Sequence, residues 1–295
     1  MIDTHAHFYS PNYTVSEMEA HLSSNPDLTV IVTPETLLDA EQVVKLCGQF
    51  AGLRACVGLH PVQPVQHIHS IDSEEHAHTA EQAYPNRLLS PSIVDAQMVA
   101  LDALISSNRA CVVAIGEVGL DFSPWLLDSE CKQHPTKTTD SIKQDQRDAF
   151  SKLISLAQRH SLPVNVHSRN AGHHAITVLK QANMLNRSLL HAFDGSKKHA
   201  LNAAKEGALF SVSGIIARDQ SIRNLVQALP LSSLCLESDA PSLSPVKGER
   251  SWPAESLRVA AQAIADIKDI PLDDVFRITS ENAASLFGLD LASSK

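Results

Sequence analysis

Met1-Ile2-Asp3-Thr4-His5-Ala6-His7 opens the chain. The run is short and mostly apolar, and it ends on two histidines separated by one residue. In an extended strand, residues two apart point to the same face, so the imidazoles of His5 and His7 can converge on one point. Seven further runs of similar length follow, at 28–33, 53–60, 112–117, 163–167, 188–191, 208–213 and 234–239. They are aliphatic and partly β-branched, the composition of strands buried on both faces.

Helix-like segments lie between and after these runs, at 35–50, 92–107, 141–161, 172–185, 197–206, 218–229, 254–268 and 272–286. Strands alternating with helices imply βαβ units and a parallel sheet. Eight units favour a closed barrel over an open sheet, so the expected fold is an α/β (β/α)₈ TIM barrel forming one domain over 1–295. Two stretches interrupt the rhythm. Residues 63–91 are polar and hold His67, His69, His76 and His78, whose spacing suits a solvated loop better than a metal site. Residues 123–140, with Pro124 and Pro135, read as a long connection. Both follow strands and are expected at the C-terminal face, where barrel active sites lie.

Composition narrows the class. Hydrophobic residues make up 43% and aromatics 4%, which suits the aliphatic interior of a barrel. The net charge of −9 argues against broad electrostatic adhesion to duplex nucleic acid. The five cysteines form no CxxC pair, as expected of a reduced, cytoplasmic protein. No apolar run reaches membrane-spanning length, so no membrane association is expected.

The chemistry-bearing residues fall at strand ends. His5 and His7 close the first run, Glu117 the fourth, His167 the fifth, His191 the sixth and Asp239 the eighth. Singly, each has an ordinary reading: a hydrogen-bonded core histidine, a salt-bridged carboxylate, or a helix cap at Asp239. Their shared topological position brings six nitrogen and oxygen donors to one rim. A carboxylate at Glu117 could bridge two ions about 3.5–4 Å apart, the spacing of two-metal sites. Imidazole suits zinc, manganese or iron, while oxygen donors admit magnesium.

The segments IDTHAHF (2–8), GLHP (58–61), AIGEVGLDF (114–122), LPVNVHSRNA (162–171), LLHAFDGS (189–196), LESDAP (236–241) and ENAASLFGL (281–289) resemble the TatD family of metal-dependent deoxyribonucleases, within the amidohydrolase-like barrels. The eukaryotic-type members look most similar, and the resemblance spans essentially the whole chain. It implies two divalent ions (Mg, Mn or Zn), one held by His5, His7, Glu117 and Asp239, the other by Glu117, His167 and His191. It also implies a monomer acting on DNA phosphodiesters or single-stranded nucleic acid, in some members as a 3′-to-5′ exonuclease. The chain departs from the family pattern in three places. It has His191-Ala192-Phe193-Asp194-Gly195 for the bacterial HCFTG, Phe122 for the tyrosine of GLDY, and Arg250-Ser251-Trp252-Pro253 for Arg-Asn-Glu-Pro. All three bear on substrate choice rather than on the ligands.

Roles follow from chemistry. Glu117 and Asp239 are the candidate catalytic carboxylates, Asp239 as acceptor of the proton of an activated water. His60 is expected to donate to phosphate or to serve as general acid, or else to make a structural bond within Leu59-His60-Pro61. Arg169 is expected either to grip phosphate in bidentate fashion or to pair with Asp121 or Asp194. Asp3 could orient a histidine ligand. Lys197, Lys198 and His199 either touch a nucleic-acid backbone or form an exposed helix face. Two divalent ions bring four positive charges against two from Glu117 and Asp239, so the pocket would attract a phosphodiester even in an acidic protein. The competing reading is an amidohydrolase or phosphoesterase that uses the same ions on a small molecule.

Overall fold

The computed structural model describes residues 1–64 and 86–291; the histidines at 67, 69, 76 and 78 lie outside them. The strands in chain order are β1 (Ile2–Ala6), β2 (Thr29–Val32), β3 (Leu53–Val57), β4 (Val62–Pro64), β5 (Asn86–Leu88), β6 (Val112–Gly119), β7 (Val164–His167), β8 (Ser188–Leu190), β9 (Leu209–Val212) and β10 (Leu234–Leu236). β4 and β5 form a separate antiparallel pair. The other eight build one parallel sheet in the order β1-β2-β3-β6-β7-β8-β9-β10. The seam between the outermost strands is closed beyond their ladders. Asp239 N–H donates to His5 O (2.9 Å) and His7 N–H to Ala240 O (2.8 Å), while Thr4 Oγ1 donates to Leu236 O (2.9 Å). The eight expected strands are therefore the barrel.

Ten helices are described: α1 (Val15–Ser24), α2 (Leu37–Cys47), α3 (Pro91–Ser107), α4 (Pro124–Gln133), α5 (Thr139–Arg159), α6 (Gly172–Gln181), α7 (Lys197–Lys205), α8 (Gln220–Ala228), α9 (Pro253–Lys268) and α10 (Leu272–Phe287). Eight match the helix-like segments. α1 was not expected, because only Met18 and His21 of it are buried and so narrow a stripe gives little periodicity. Its start is set locally by a capping box between Thr14 and Glu17. α4 corrects the reading of 123–140 as a plain connection: Pro124 sits at the first helical position, where its missing N–H is harmless.

One apolar layer lies between the strands and the helices. A second gathers Ile2, Ile31, Cys56, Ala114, Leu189 and Cys235 near the N-terminal ends of the strands, against Ala283, Ala284 and Phe287 of α10. α10 thus packs apolar side chains against that end, and the candidate ligands collect at the other.

Candidate metal centre

Two glycines let β6 approach its neighbours closely enough to place Glu117. At Gly116 an added Cβ would lie 2.7 Å from Asn165 Cβ, and at Gly119 (φ +147°) it would lie 2.0 Å from His167 O. Only glycine fits either position. Glu117 then projects among the histidines with 2% of its surface exposed.

Its two carboxylate oxygens face different partners. Oε2 lies 3.5 Å from His5 Nε2 and 3.5 Å from His7 Nε2. Oε1 lies 2.7 Å from His167 Nδ1, 3.0 Å from His191 Nε2 and 3.8 Å from His60 Nε2. Asp239 Oδ1 completes the first set, 3.7 Å from His5 Nε2 and 3.5 Å from His7 Nε2. All six residues expected at the rim meet in one place, and His60 joins them. Each of the sets His5-His7-Asp239, His5-Glu117-His191 and His60-Glu117-His167 has its ligand atoms within 4.8 Å of one another.

The electrostatics are those of buried, mutually dependent charges. Burial opposes ionisation of Glu117, yet His60, His191 and His5 hold its carboxyl well below the usual range. Burial works equally against charging His191, but Glu117 and Glu237 raise it well above an ordinary imidazole. Burial prevails at Asp239, whose carboxyl is raised.

The donor set fits divalent cations. His5 Nδ1–H donates to Asn165 Oδ1 (3.0 Å), which leaves the lone pair of Nε2 aimed into the centre. That nitrogen is buried with no hydrogen-bond partner. Such an orphan costs about 1–3 kcal/mol, and a bound cation would satisfy it. The mix of imidazole and carboxylate suits zinc or manganese and admits magnesium.

Two residues of the surrounding layer, Asn165 and Glu237, escaped the sequence reading. Asn165 also donates from Nδ2 to Thr4 O (2.8 Å), so it fixes both β1 and the His5 ring. Glu237 Oε2 sits 3.4 Å from His191 Nδ1 and accepts Ser211 Oγ–H (2.5 Å), while its Oε1 accepts Ala192 N–H (3.1 Å). The available signal was parity: Asn165 and Glu237 each lie two residues before a candidate ligand, on the same face of the chain. Asp121 Oδ2 lies 3.4 Å from His167 Nε2. Asp3 does not orient a histidine ring, because its Oδ1 accepts the backbone amides of His5 and Ser238.

At the mouth, His60 Nδ1 lies 3.0 Å from Val62 N and 3.1 Å from Val62 O. Its Nε2 faces the centre, 3.8 Å from Glu117 Oε1. Arg169 is exposed and pairs with neither Asp121 nor Asp194; among the described residues it forms no salt bridge. Asp194 Oδ2 instead accepts Asn170 N–H (3.0 Å). His199 receives its contact from Ser196 at the start of α7, and Lys197 and Lys198 are exposed.

The family model described as TatD related DNase matches residues 2–288. The chain belongs to the TatD family. It is a metal-dependent hydrolase that acts on ester bonds. Among TatD relatives, the human protein named deoxyribonuclease TATDN3 is 32% identical over 290 residues, covering 97% of this chain and 94% of that one. An Escherichia coli protein named uncharacterized metal-dependent hydrolase YjjV is 28% identical and covers 98% of each chain. The crystal structure of the Escherichia coli TatD homolog YJJV superposes with a TM-score of 0.75 at 25% identity over 98% of each chain. A TatD family hydrolase structure from Entamoeba histolytica, at TM-score 0.69 and 19% identity, has the same fold. The TatD barrel therefore holds for the whole described chain, and no helix of it is long and apolar enough to cross a membrane.

Proposed function

We propose that this TatD chain is a deoxyribonuclease of the 3′-to-5′ exonuclease type working with two divalent cations (Mg, Mn or Zn). His5, His7, Glu117 and Asp239 would hold one ion, and Glu117, His167 and His191 the other. The observation that carries the reading is the division of Glu117, whose Oε2 faces His5 and His7 while Oε1 faces His167 and His191. That division supports a pair of ions that would share Glu117.

The chemistry supplied by such a pair, when bound, is activation of a water and neutralisation of charge developing on a phosphate. Asp239 receives the proton of the attacking water; burial keeps its carboxyl raised and hence more basic than an ordinary aspartate. Burial pushes His60 down to about 3, so its ring is neutral, and in the Nε2–H tautomer it would donate a hydrogen bond to a phosphate oxygen rather than act as an imidazolium acid. Arg169, exposed on the loop after β7, is free to grip a neighbouring phosphate of the strand. The names of the relatives support DNA as the substrate. A monomer in the cytoplasm belongs to the same reading, supported by five unpaired thiols.

The test is incubation of metal-loaded protein with end-labelled single-stranded DNA, beside Glu117→Ala. Shortening from the 3′ end that disappears in the variant is expected. No cleavage with Mg, Mn or Zn, together with turnover of a small phosphoester or amide, would replace this reading with the small-molecule one.

A further inference from the structure

The barrel has a second polar cavity, at the pole opposite the metal centre. Its volume is about 560 Å³, and it is lined by the start of β2 at Thr29, of β3 at Arg54 and of β6 at Val112, by Arg109, by Arg187 just before β8, and by the end of α10. Three guanidinium groups thus share one cavity in a protein whose net charge is −9.

None of the three has a carboxylate partner within salt-bridge distance among the described residues. Their bonds go to backbone carbonyls. Arg54 Nη1 donates to Ala51 O (2.9 Å) and Leu53 O (2.7 Å), Arg109 Nη1 reaches Val112 O (3.4 Å), and Arg187 Nη2 donates to Ser161 O (2.5 Å). These bonds anchor one terminal nitrogen of each group. The charge stays uncompensated and the remaining N–H donors stay available. The bonded carbonyls belong to the loops and strand starts, so none of the three is spent on capping the C-terminal end of α10. Asp290 is the one acidic residue lining the cavity. Three positive charges against one leave two in excess, which matches a dianion. Planar guanidinium forks match the oxygens of phosphate in pairs, a geometry that ammonium groups lack. Thr29 and Ser161 add hydroxyls at the rim, and Val113 and Leu289 add an apolar wall.

We infer that this cavity is a binding site for a small phosphomonoester dianion, separate from the metal centre. The cavity is wide enough to take the organic part of a nucleotide-sized ligand as well as its phosphate. The inference does not depend on the nuclease reading, because the site draws no residue from the metal centre.

Adenosine 5′-monophosphate, titrated calorimetrically into metal-loaded protein, is the probe, with adenosine as the uncharged control. Hydrogen exchange read on peptides containing Arg54, Arg109 and residues 285–290 locates the binding. Saturable binding with slowed exchange in those peptides is expected, and adenosine should give neither. Arg54→Gln and Arg187→Gln, each retaining a donor for the carbonyls, should each weaken that binding roughly tenfold or more. The exposed Arg109→Gln should do the same without disturbing the fold. Inorganic phosphate should compete. Binding that vanishes on chelation, that protects only the metal-centre peptides, or that survives all three substitutions unchanged would overturn the inference and leave the arginines as ties between loops.

Discussion

Asn165 Oδ1 accepts the Nδ1–H of His5 at 3.0 Å, linking β7 to β1 across the barrel interior. The contact fixes the tautomer of His5, so that the unprotonated Nε2 faces Glu117 and Asp239. Partners of this kind typically account for 10–100-fold in metal affinity or activity. Asn165→Ala is therefore expected to weaken metal binding by roughly that factor, with activity partly restored by excess metal. Metal titration of apo protein followed by calorimetry gives the measurement, and unchanged affinity would leave Asn165 a strand residue only.

Glu117 stands between two groups of histidines. Its replacement by alanine should reduce both metal content and turnover, by at least about a hundredfold in activity, the upper end for residues that only support a ligand. Elemental analysis of protein purified without chelator would show the loss. Retention of full metal content in Glu117→Ala would rule out the bridging role.

Chelation should lower thermal stability. Metal present at 100 times its dissociation constant stabilises a fold by about 2.7 kcal/mol, or roughly 5 °C in a chain of this size. Thermal melts with and without EDTA measure this directly, and coincident melts would argue that no ion is held by these residues in the folded state.

Gly119 carries φ +147°, and an added Cβ would lie 2.0 Å from His167 O. Gly119→Ala should destabilise the protein by on the order of 3 kcal/mol and displace His167 from Glu117. Denaturant unfolding gives the first quantity and metal content the second. A variant with unaltered stability would mean that β6 can shift away from β7 at little cost.

His21 is pH-sensitive for a local reason. Its Nε2 accepts the backbone N–H of Ala254 in the first turn of α9 (3.3 Å), and burial lowers its pKa, with Glu255 at 3.9 Å opposing in part. A lowered histidine disfavours the proton in the folded state. The stability it confers is complete above its unfolded value of about 6.5 and is lost as pH falls through the lower folded value. Wild type should therefore lose stability below about pH 6.5 more steeply than His21→Gln, whose amide oxygen can accept the same N–H at any pH. Parallel slopes in melts from pH 5 to 8 would remove His21 as the cause.

Arg169 is exposed beside the centre and carries no salt bridge among the described residues. Arg169→Ala should raise KM for oligonucleotides and reduce the salt slope of binding by about one, with little change in kcat. A fall in kcat at constant KM would place Arg169 at the reacting phosphate instead.

The sequence by itself determined the eight barrel strands, their order and the six candidate ligands, but not the β4–β5 pair that flanks the stretch read as a loop. These were legible because aliphatic runs of strand length have one outcome when buried on both faces, and because strand ends of a parallel barrel converge whatever the loops do. α1 and α4 were not legible: α1 buries only Met18 and His21, and α4 begins on a proline that reads as a breaker until its position in the helix is known. Only the tertiary structure paired Asn165 with His5, set Glu237 beside His191, turned Nε2 of His60 toward Glu117 and left Arg169 without a carboxylate. It alone gathered Arg54, Arg109 and Arg187 into one cavity. The reason is physical. Strand and helix patterns arise from neighbours along the chain, whereas a ring's tautomer, a buried carboxylate's charge or an arginine's lack of a partner depends on groups far apart in sequence that meet only in the folded barrel.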